Sequence, residues 1–170
     1  MMSNFVLTLE LKTEKWQEDV LDKRFNIGRQ IYNACLGELF KRYNTMIQNK
    51  EYRKVLKMPK GKDRNKEFDK LNKKYDLTEY SLHKYVKPMQ HYFKKNIDSF
   101  TAQKIATRAF NAFKKYMLHE AKRVHFKKYG ELNSLEGKSN GTGIKFQDNR
   151  LVWNKLEVPA IIKKNDEYAQ

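Results

Sequence analysis

The stretch SFTAQKIATRAFNAFKKYMLHEAKRVHFKKY, residues 99–129, decides how the chain is read. Phe100, Ile105, Ala109, Phe113, Tyr116 and Val124 recur at intervals of three and four, the spacing that gathers side chains on one face of a helix. Lys104, Arg108, Lys115 and Lys122 fall at helical spacing on the opposite side. The pattern predicts one helical rod over residues 99–129, capped by Asp98 or Ser99, with an apolar inner side and a cationic outer side. From Phe100 onward it carries eight Lys/Arg, Lys114 among them, against a single acid, Glu120. It leaves in a basic and aromatic run: Arg123, Phe126, Lys127, Lys128 and Tyr129. Cations on a rigid element suit a phosphate backbone, and aromatics beside them can stack on unpaired bases.

Working outward, a helix is expected over residues 14–48, where Trp16, Val20, Ile27, Ile31, Leu39 and Tyr43 form a stripe. Ala34, Cys35 and Leu36 widen that stripe enough for two packing partners. The segment PKGKDRNK, residues 59–66, reads as a charged Pro/Gly loop. A polar helix over residues 67–75 and another over residues 78–95 follow. The second has Leu82, Tyr85, Val86, Met89 and Phe93 on its inner face and a kink at Pro88.

Both ends of the chain look like strand. Phe5, Leu7, Leu9 and Leu11 alternate with Val6, Thr8, Glu10 and Lys12, the period of a half-buried strand. Four of the seven glycines lie between Gly130 and Gly143, where helical periodicity stops. GIKFQDNRLVWNKLEVPAII, residues 143–162, reads as short strands turning at Asp148-Asn149 and Asn154-Lys155. The expected fold is α+β. A small antiparallel β-barrel or sheet is formed by N- and C-terminal strands (residues 1–12 and 130–170). A helical bundle (residues 13–129) interrupts it.

The 170 residues hold 36 Lys/Arg against 20 Asp/Glu, a net charge of +16 with a pI near 9.8. Solubility of a small domain needs a net charge of only about 2 to 8, so a polyanionic partner is expected, nucleic acid ahead of an anionic membrane. A single cysteine, Cys35, forms no internal disulfide and points with the absence of a secretory pattern to a cytoplasmic setting. No apolar run is long enough to span a bilayer.

Catalytic patterns are missing. Glu136-Gly137-Lys138-Ser139 resembles the end of a P-loop, but the glycine required five residues before Gly137 is Leu132. His83, His91, His119 and His125 have no metal-ligand spacing, and Cys35 lies on an apolar helical face without a histidine beside it. The acids interleave with lysines, as on solvated helix faces. Lys104, Arg108, Lys114, Lys115, Lys122, Arg123, Lys127 and Lys128 are therefore the candidate phosphate contacts, and Phe126 and Tyr129 the candidate stackers.

The block from Ala102 to Ile161 resembles the N-terminal half of TnpB-type proteins, transposon-encoded RNA-guided DNA endonucleases akin to type V CRISPR effectors. Ala109-Phe110 and Ala112-Phe113 stand where that family has an Ala/Phe phrase. Arg123, Phe126 and Lys127 match its basic exit, and Gly143-Ile144, Leu151 and Pro159 match the turn and strand pair that follow. The resemblance implies a wedge-type β domain interrupted by a helical recognition domain. It implies as partners a guide RNA and, through the guide–target heteroduplex, the target DNA, with backbone and A-form shape read by protein and sequence by base pairing. The family's RuvC-like nuclease domain, with its acidic ligands for Mg2+, lies beyond this region. No catalytic residue and no cofactor are therefore expected in this chain, and a separate RuvC-containing chain is a further partner. The alternative is a stand-alone regulator that mimics the effector's front half, sequestering guide RNA or pairing with the full-length nuclease.

Overall fold

Helix boundaries in this chain are set by side-chain caps rather than by glycine and proline alone. The computed structural model of the chain describes residue 4 and residues 6–163. Its order is α1 (Lys15–Ile47), α2 (Lys50–Leu56), α3 (Lys62–Lys74), α4 (Glu79–Tyr92), α5 (Ser99–Met117), β1 (Lys145–Gln147), β2 (Arg150–Trp153) and β3 (Leu156–Pro159). Glu14 and Gln17 form a capping box at α1, Thr78 and Ser81 form one at α4, and Asp98 caps α5 by accepting the Thr101 N–H at 3.0 Å. Asn49 caps α2, a helix the sequence reading left out. The third helix begins at Lys62, ahead of the expected 67–75 span, so the charged loop is shorter than residues 59–66.

α5 is the central element and packs on α1 and α4 together. Its Ala102, Ala106 and Ala109, all buried, let the neighbouring helices approach closely, while Ile105 and Phe113 fill the space between. α1 contributes Ile31, Cys35, Leu36 and Leu39, and α4 contributes Leu82 and Val86. Most of the apolar stripes read from the sequence are thus the core; Trp16 is 55% exposed, and Val20 and Phe100 are only partly buried and lie outside the core cluster.

The rod does not run to Tyr129. α5 stops at Met117, and its last carbonyls are taken by the Glu120 N–H to Lys115 O (2.9 Å) and the His119 N–H to Tyr116 O (3.1 Å). This is the hydrogen-bond pair of a Schellman motif, with His119 at φ 59° in the left-handed position usually given to glycine. The end of α3 repeats the device: Leu77 N–H bonds Asn72 O at 2.7 Å, and Asp76 takes φ 56°. Val124 consequently meets the core from an irregular segment and not from the helix.

After the Schellman turn the chain doubles back over the bundle as an irregular ribbon. Phe126 stacks on Phe40 of α1, with ring centroids 6.1 Å apart. Asn33 of α1 then grips Lys127 at both main-chain groups, accepting its N–H at 2.9 Å and donating to its carbonyl at 2.8 Å. Leu132 enters the groove between α1 and α5 opposite Gly28, where an added Cβ would lie 3.4 Å from both Leu132 and Ile105 and 3.0 Å from Leu135. Gly28 is the one place in α1 where close approach of another segment calls for glycine.

The sheet is open, with strands in the order β1-β2-β3 and both hairpins antiparallel. It is not a closed barrel: strands of three or four residues give too little stagger to bring β1 round to β3. The two turns are where the sequence puts them. Asp148 and Asn149, then Asn154 and Lys155, all have positive φ, the conformation that suits a two-residue hairpin to the strand twist. The alternating N-terminal segment forms no strand among the described residues. It meets the sheet at one antiparallel bridge, Leu11 to Ala160, with Lys12 N–H on Pro159 O at 2.7 Å and Ile161 N–H on Glu10 O at 2.8 Å. That register carries residues 6–10 past the end of β3, and Phe5 lies outside the described residues.

Burial holds the Cys35 thiol and the Tyr43 phenol in their neutral forms, pushing each pKa up to about 12; Tyr52 adds to the effect at Tyr43. Both groups keep their protons more tightly folded than unfolded. Their contribution to stability is complete below the unfolded pKa values, about 8.5 and 10, and is lost as pH climbs toward 12. Melting temperature should therefore hold through neutral pH and fall above about pH 9, with Cys35→Ala removing the first part of the fall. A melting curve that stays level up to pH 11 would contradict this.

Candidate nucleic-acid interface

The ten residues singled out in the sequence divide into three groups in space. Lys104 and Arg108 on α5 face the returning ribbon. Lys104 Nζ lies 3.5 Å from Glu136, and Arg108 Nη1 donates to the Ser134 carbonyl at 2.7 Å. Lys138 then lies over the Phe100 ring at 5.4 Å. The ribbon thus descends α5 toward its N-terminus, and these two cations clasp it instead of lining an open stripe.

Lys114, Lys115, Lys122 and Arg123 form the second group, at the end of α5 and just past the Schellman turn. All four are exposed, and among the described residues none has a carboxylate within ion-pair distance. His119 is exposed between them.

The third group lies on the ribbon along α1. Phe126 is 50% exposed despite its stack on Phe40, and Tyr129 is 75% exposed. Tyr129 borders a cleft with Phe25 and Asn26 of α1. Lys127 places its ammonium 5.3 Å from the centre of the Tyr32 ring, half covered, whereas Lys128 is exposed and its main-chain N–H is held by Glu131 at 2.7 Å. Arg29 and Asn33 supply the donors that fix the Lys127 carbonyl. The ribbon is therefore anchored through its backbone and through Phe126 and Lys127, which leaves Lys128 and Tyr129 exposed.

A second basic region escaped the sequence reading. Residues 50–74, covering α2 and α3, hold eleven Lys/Arg against four Asp/Glu, a net +7 of the chain's +16. Lys74 bonds Glu51 at 2.8 Å and ties the two helices into a hairpin. Between this hairpin and the end of α5 lies a cleft of about 460 Å3 that includes Lys114 and His119. The signal available in the sequence was Tyr52, Val55, Phe68 and Leu71, apolar residues three apart within two polar segments.

Behind the interface, Asp98 joins the helices to the sheet. Besides capping α5, its carboxylate accepts the Trp153 indole N–H at 2.9 Å. The Arg24 guanidinium stacks on Trp153 at 4.6 Å and donates to the carbonyls of Trp153 (2.7 Å) and Asn154 (3.0 Å). Burial lowers the Arg24 pKa, and the negative charge of Asp98 opposes that shift. Gln17 of α1 bonds the Glu157 carbonyl at 2.9 Å and completes the seam.

Among the described residues, no group of three or more His, Cys, Asp or Glu is placed to hold a metal ion. No helix among them is long and apolar enough to cross a membrane. The arrangement offers cations and exposed rings on a rigid support, the chemistry of anion and base binding. No family model, curated protein or solved structure matches the chain.

Proposed function

We propose that this chain is a non-catalytic lobe that grips a guide RNA, and the RNA–DNA heteroduplex it forms, by the sugar–phosphate backbone. On this reading it serves as the N-terminal half of a TnpB-like RNA-guided endonuclease, with nuclease chemistry supplied by a RuvC domain outside these residues. The observation that carries the proposal is the run Lys114, Lys115, Lys122, Arg123 and Lys128: exposed cations without ion-pair partners among the described residues, beside exposed Phe126 and Tyr129. Charge of one sign on a fixed support attracts a polyanion. It carries no base-specific pattern, which suits a protein that leaves sequence to base pairing.

The test is affinity for single-stranded RNA, an RNA–DNA hybrid and a DNA duplex of equal length across a series of salt concentrations. The expected result is a steep fall of affinity with salt, and binding of RNA and hybrid at least about tenfold tighter than of B-form DNA. Equal affinity for all three would reduce the surface to a general cation sink and overturn the reading.

A further inference from the structure

The cleft between the α2–α3 hairpin and the end of α5 has the chemistry of a nucleotide subsite. Its aromatic wall is Tyr52 and Phe68, with ring centroids 6.1 Å apart and planes inclined at 56°. Tyr43 forms part of the floor, and Phe110 faces from α5. The Arg64 guanidinium lies 5.2 Å over Phe68, and its Nε is buried with no hydrogen-bond partner among the described residues. A donor left this way in a native structure calls for a partner.

The α3 wall also carries polar groups. Asn65, Asp69 and Asn72, four and three residues apart, line the same cleft. Two amides and a carboxylate beside stacking rings match the mixed donor and acceptor edge of a base, and a purely apolar side chain would leave them unpaired. Lys114 and His119 sit where the cleft opens at the end of α5 and supply cations for a phosphate. At about 460 Å3 the space falls within the range of small-molecule sites and holds one nucleotide.

We propose that this cleft receives one unpaired nucleotide of a bound RNA strand. The base stacks at Tyr52 and Phe68, Asn65 and Asn72 meet its edge, and Lys114 takes its phosphate. The inference rests on the RNA-binding reading above and adds to it a subsite separate from the ribbon.

The test uses the full chain, with a mixed-sequence single-stranded RNA of about 20 nucleotides, longer than the usual site of a small module, and a blunt RNA duplex of the same length as probes. Phe68→Leu keeps the apolar volume but removes a stacking ring, and Asn72→Trp fills the cleft without changing charge. Each should weaken single-strand binding by about five- to a hundredfold, the range for loss of a stacked base. Duplex affinity and its salt slope should stay as in the wild type, and the single-strand slope should fall by no more than about 0.7, the one phosphate assigned to Lys114. Circular dichroism melts establish that each variant is folded; if one is not, the other decides.

Unchanged single-strand affinity in a folded variant overturns the subsite while leaving the lobe assignment standing. Wild-type protein that binds neither probe overturns both. If the wild type self-associates and Asn72→Trp is monomeric with RNA binding intact, the cleft holds a second copy of the chain and the proposal fails.

Discussion

Reversing Lys115, Lys122, Arg123 and Lys128 together to glutamate is expected to lower affinity for single-stranded RNA at low salt by about a hundredfold or more. The salt dependence is the more telling readout. Each phosphate neutralised on a single strand contributes about 0.7 to the slope of log affinity against log salt, so losing four contacts should flatten the slope by about 3. All four side chains are exposed and carry no ion pair among the described residues, so the fold should lose nothing. Lys104 and Arg108 make the contrasting pair. Their reversal would place glutamates against Glu136 and the Ser134 carbonyl and release the ribbon from α5, with a fall in melting temperature. If the exposed quartet leaves the slope as it was, the RNA strand does not run over this surface and the assignment falls.

Much of the bundle was legible from spacing alone. The stripes on α1, α4 and α5 are the core because a helix that buries one face must repeat apolar residues at three and four. The hairpin turns were legible for a similar local reason at Asp148, Asn149 and Asn154, residue types that accept positive φ at little steric cost, whereas Lys155 takes φ 65° without that preference. What the sequence hid is the end of α5. His119 takes the left-handed position without the glycine that normally marks it, and apolar spacing continues by chance to Val124, so pattern and conformation part company. The roles of Lys104 and Arg108 were hidden because their partners lie 32 and 26 residues further along the chain, where side-chain periodicity has no reach. α3 extends further than its pattern suggests because most of its positions are charged and its one buried apolar side chain is Leu71. Such a helix is held by packing against its neighbour α2 more than by its own pattern.

The seam between helices and sheet carries the largest expected effect on stability. Gly143 has φ 68°, and a Cβ placed there would press on the Asp98 carboxylate, 2.9 Å from Cγ. Gly143→Val should therefore cost about 1–2 kcal/mol in backbone strain before any contact is considered. The methyl groups would also displace the carboxylate that caps α5 and holds the Trp153 indole N–H. A lost cap costs about 1 kcal/mol and a broken buried hydrogen bond a further 1–3 kcal/mol. Arg24 suffers next, because Asp98 is the negative charge that offsets its burial. The sum is about 3–6 kcal/mol, which for a chain of this length lowers the melting temperature by about 10–20 °C. Asp98→Ala should give about two-thirds of that, since it removes the cap and the indole acceptor without straining the backbone. The decisive measurement is the double variant. If Gly143 acts through Asp98, the carboxylate can be lost only once, and the pair together should destabilise by clearly less than the two single effects added. Full additivity, or a Gly143→Val protein that melts like the wild type with an unchanged near-ultraviolet signal from Trp153, would show that the sheet is held by contacts other than this carboxylate.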